Sequence, residues 1–74
     1  MIENAEAAKY VSDLFLGINQ RLLQSVDKIE GSCTPEESQT YRRRVATLSY
    51  STFEQILLPI YRKHPDLKPP DLEI

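Results

Sequence analysis

The tetrapeptide Thr34-Pro35-Glu36-Glu37 constrains this chain more than any other feature, because it starts a helix in the middle of the sequence. A threonine cap accepts from the amide three residues on, and a glutamate there reaches back to the cap amide. Proline fits the first helical position, where the missing N–H would have had no intrahelical partner. Ahead of this signal, residues 4–30 run without proline, and Ala8, Val11, Phe15, Ile18, Leu22 and Ile29 recur at helical spacing. That periodicity predicts a first helix. Asn4 suits its N-cap, Glu6 its positive end, and Gly31 a left-handed C-terminal residue. After the signal, Tyr41, Val45, Leu48, Thr52, Ile56 and Ile60 carry a second helix to about His64, where Pro65 stops it. Pro59 removes one backbone bond and crowds the Gln55 carbonyl, which predicts a kink there or an end near Leu58.

Gly31-Ser32-Cys33 is all that joins the two helices. A connection this short predicts an all-α, two-helix antiparallel hairpin, with helices over 4–30 and 35–64. Residues 1–64 then form the hairpin domain. Residues 65–74, which hold three of the prolines, form an extended tail that Leu67, Leu72 and Ile74 can anchor. In the hairpin, residues whose numbers sum to about 65 should face each other. Leu22 then lies near Arg43, Ile18 near Thr47, Phe15 near Tyr50 and Val11 near Glu54, with Val45, Leu48, Thr52 and Ile56 filling the seam.

The apolar faces are wider than one seam. In the first helix Leu14, Ile18, Val11, Leu22, Phe15, Ala8 and Val26 span about 120°, and Leu16 with Leu23 extend the arc to about 200°. In the second, Phe53, Leu57, Tyr50 and Tyr61 widen the seam to about 220°. A lone hairpin leaves the second stripe in water, so Leu16, Leu23, Tyr50, Phe53, Leu57 and Tyr61 are expected to form a partner interface. Pairing two hairpins into a four-helix bundle would cover them. Asn19 lies on that stripe, where a polar residue specifies alignment.

Size points the same way. A chain of 74 residues buries only roughly 60% of its unfolded surface and commonly needs a disulfide, a metal or a partner. Cys33 is the only cysteine and His64 the only histidine, so neither an internal bridge nor a structural zinc site is expected. The lone thiol and the absence of an apolar leader suggest a reducing cytoplasm. With a formal net charge of -2 and no apolar run of spanning length, the chain shows no general attraction to phosphate backbones and no membrane segment.

Arg42-Arg43-Arg44 is the one conspicuous charge run. Consecutive helical residues fan out by about 100°, so the three guanidiniums do not form one stripe, and ion pairs with Asp27 or Glu30 are the simpler expectation. No carboxylate pair suited to acid–base work, no Glu-x-x-His spacing and no phosphate loop occurs, and nothing near Cys33 activates its thiol. The expected protein is therefore a non-catalytic, cofactor-free interaction or assembly module acting as a homo-oligomer, with a dimer favoured. The alternatives are a dimeric nucleic-acid-binding regulator that uses Arg42, Arg43 and Arg44, or a subunit of a hetero-oligomeric complex.

Overall fold

In the computed structural model, residues 2–70 are described, and they form an all-α hairpin. Helix α1 spans Ala5–Ile29 and helix α2 spans Pro35–Thr52. A π-helical turn, Phe53–Leu57, continues α2 without a break into α3, Leu58–Lys63. A single 3-10 turn, Pro65–Leu67, follows. The molecule measures 45 × 20 × 16 Å.

Both expected N-caps are present. The Asn4 side chain accepts from the Ala7 amide at 2.9 Å. Thr34 Oγ1 accepts from the Glu37 amide at 3.1 Å, while Glu37 Oε1 accepts from the Thr34 amide at 2.9 Å. Gly31 departs from expectation: no described glycine has a positive φ. Instead α1 closes through tight bonds, Glu30 N–H to the Asp27 carbonyl at 3.3 Å and Ser32 N–H to the Ile29 carbonyl at 2.9 Å, so a left-handed residue is not required.

Pro59 neither ends the helix nor breaks it. A proline clashes with the carbonyl four residues back and offers it no N–H, and one wider turn relieves both problems. In that turn the Leu58 N–H reaches the Phe53 carbonyl, five residues back. The widening also rotates everything beyond it. Leu57 and Tyr61, expected on an outward stripe, are 1% and 3% exposed beside Ile60 at 0%. They close on Ala8 of α1, with Ile2, Val11, Phe15, Leu16, Phe53, Ile56 and Leu67 packed around them. The core therefore sits at the open end of the hairpin, where Ile2 and Glu3 come close to Lys63 and His64. Lys63 Nζ approaches Glu3 Oε1 at 3.3 Å, and a His64 ring nitrogen lies 2.8 Å from the Ile2 carbonyl. Leu67 joins that core, whereas the expected anchors Leu72 and Ile74 lie outside the described residues.

The seam of α1 is rotated from the one its aliphatic residues suggest. It is centred on Ala8, Ser12, Asn19 and Val26, and Leu14 and Ile18 stand at 45% and 37% exposure. Polar residues can line it because each finds a partner across the hairpin. Ser12 Oγ lies 2.9 Å from the Tyr61 hydroxyl. Ser25 gives its proton to the Leu22 carbonyl at 2.6 Å, so the Tyr41 hydroxyl at 2.7 Å donates to Ser25. The Thr52 hydroxyl lies 2.9 Å from the Asn19 amide and 2.8 Å from the Ser49 carbonyl. On α2 the same rotation leaves Leu48, an expected seam residue, 51% exposed. The register corrects the simple sum near 65: Ser25 meets Tyr41, but Asn19 meets Thr52 and Ser12 meets Tyr61. Position numbers across the seam therefore drift upward toward the open end, partly because the π turn spends an extra residue on α2's side.

Candidate interaction surface

The six residues expected to face a partner separate into two groups. Leu57 and Tyr61 are inside the protomer, and Leu16 and Phe53 are half-buried against the same core, so the hairpin itself absorbs most of that stripe. Leu23 and Tyr50 remain in solvent, 57% and 65% exposed. Asn19, expected to align two molecules, instead aligns the two helices of one.

Four further large apolar side chains are exposed: Tyr10 at 71%, Leu14, Ile18 and Leu48. Tyr10, Leu14 and Ile18 follow one another at intervals of four, which places them on adjoining turns of one side of α1. Counting every aliphatic residue of α1 as seam conceals this stripe. The signal that reveals it is the heptad spacing of Ala8, Ser12, Phe15, Asn19, Leu22, Val26 and Ile29, which marks the true seam and leaves Leu14 and Ile18 to its flank.

Arg42, Arg43 and Arg44 are all exposed. Their expected ion pairs with Asp27 or Glu30 do not form: among the described residues the ion pairs are Lys9–Asp13 and Lys63–Glu3. The helix directs the three guanidiniums to different sides, as the 100° step requires. A shallow cleft of about 370 Å³ at the turn is lined by Glu30, Cys33, Pro35, Ser38, Gln39 and Arg42. Among the described residues no group of three His, Cys, Asp or Glu side chains could hold a metal ion, and no helix is long and apolar enough to cross a membrane.

Fold and surface together define an all-α helical hairpin with unpartnered apolar side chains on both of its long helices. No family model matches the chain, nor does any curated protein or solved structure.

Proposed function

We propose that this protein is a small non-catalytic assembly module that pairs with a second hairpin to form a four-helix bundle. One observation carries the reading: large apolar side chains stand in water on both long helices, Tyr10, Leu14, Ile18 and Leu23 on α1 and Leu48 and Tyr50 on α2. Packing a second hairpin against one side of α1 would remove Leu14 and Ile18 from water, and these two share that side of the helix. Equilibrium sedimentation at micromolar concentration tests the reading. A dimer mass supports it, and a well-folded monomer removes its basis.

A nucleic-acid reading draws on Arg42, Arg43 and Arg44 having no carboxylate partner among the described residues. It requires binding to a short duplex at low salt that weakens as salt rises and disappears when all three become alanine. Absence of binding at low salt would end it.

A further inference from the structure

The outer side of α1 carries a charge order that is complementary to its own reverse. Glu6 and Asp13 lie in its first half, Arg21 and Lys28 in its second, and Gly17 is the midpoint of Ala5–Ile29. All four charged residues are exposed. A glycine inside a helix costs about 1 kcal/mol relative to alanine, and nothing in the protomer requires one here: a Cβ built at Gly17 would meet no atom within 4 Å. A mid-helix glycine on an outer surface, facing open space, is explained if another backbone approaches closely at that point.

We propose that a second copy of this chain crosses α1 antiparallel at Gly17, with Asp13 and Glu6 of each copy facing Arg21 and Lys28 of the other. The inference rests on the self-association reading above and places the contact on the side of α1 away from α2, where it covers Leu14 and Ile18 but not Leu23, Leu48 or Tyr50. A twofold axis through Gly17 places residues whose numbers sum to 34 opposite each other. Asp13 then meets Arg21, Glu6 meets Lys28 and Tyr10 meets Gln24, while Leu14 and Ile18 pack along one flank of the contact. Because the glycine is central, the two helices overlap along their whole length of about 37 Å. A parallel arrangement would set acid against acid and base against base, so the charges select the antiparallel one. Among the described residues Asp13 is engaged only by Lys9, through Oδ2 at 2.9 Å, and with both side chains more than 60% exposed that pair holds it weakly. The same step around the helix puts Leu14 and Ile18, 45% and 37% exposed, beside the crossing, and these supply the apolar area that ion pairs alone would lack.

The test is sedimentation equilibrium on the full chain carrying Cys33→Ser, with folding followed by circular dichroism. Gly17→Leu fits the free protomer and should keep or raise its helix content, yet weaken dimerisation at least about tenfold. Arg21→Asp should weaken it by about the same factor through repulsion from Asp13, and adding Asp13→Arg should restore it. In the same background, Gly17→Cys should form a disulfide between copies on mild oxidation, since the axis brings the two positions together. If the parent protein is dimeric and all these changes are silent, the crossing is overturned while self-association stands. If the parent is a monomer at roughly 100 µM, both fall together.

Discussion

The two ends of the hairpin are held by different means. At the open end Ala8, Leu57, Ile60 and Tyr61 form a closed apolar cluster, reinforced by Ile2, Phe15, Leu16, Phe53 and Leu67. At the turn end Val26 and Val45 are the only buried apolar residues among those described. There the hairpin relies on the Thr34 capping box and the Tyr41–Ser25 bond, and Ser38 keeps a buried hydroxyl with no partner among the described residues. An unpaired buried hydroxyl opposes folding, whereas each large buried aliphatic favours it by about 1.5–3 kcal/mol. The covalent connection lies where packing is thin, and the packing lies where no linker joins the two helices. One short linker makes this division workable, because it restrains the turn end without needing a core there.

That contrast can be broken at its strong end first. Leu57→Ala opens a cavity in the cluster and should cost about 2–5 kcal/mol, enough to unfold most of a chain this small in urea titration. A loss under 1 kcal/mol would show that the open end is not the main core. Tyr61→Phe deletes one hydroxyl and leaves the Ser12 hydroxyl buried without its partner, a cost of about 1–3 kcal/mol. Adding Ser12→Ala should return part of it, and a double-mutant cycle measures the coupling.

At the turn end, Val45→Ala should cost about 1–2 kcal/mol, less than Leu57→Ala because fewer methyl groups leave a thinner core. Equal losses at the two sites would erase the distinction between the ends. Thr34→Ala removes the cap acceptor and should cost about 1 kcal/mol, read as a shift in the urea midpoint. Native-state hydrogen exchange sharpens the same comparison: amides of residues 38–46 should open more readily than those of residues 56–62.

Much of this architecture is legible in the amino-acid order alone. The cap at Thr34, the short linker and the 3–4 periodicity of both segments are local signals, and local chemistry alone satisfies them. The placement of the surface was less so. Leu57 and Tyr61 read as outward on a regular helix, and they turn inward because the helix widens at Pro59. Leu14 and Ile18 read as seam because they are aliphatic, yet Ser12 and Asn19 occupy it. A rule that places polar residues outside has no access to a hydroxyl forty-nine positions away that completes the bond.

By itself, then, the amino-acid order determined where helices begin and that they must fold back on one another, since caps and linker length act within a few residues. Only the tertiary structure decided which side of each helix is core. That choice depends on how a single widened turn rotates α3 and on which hydroxyls meet across the seam, and neither is set until both helices are packed together.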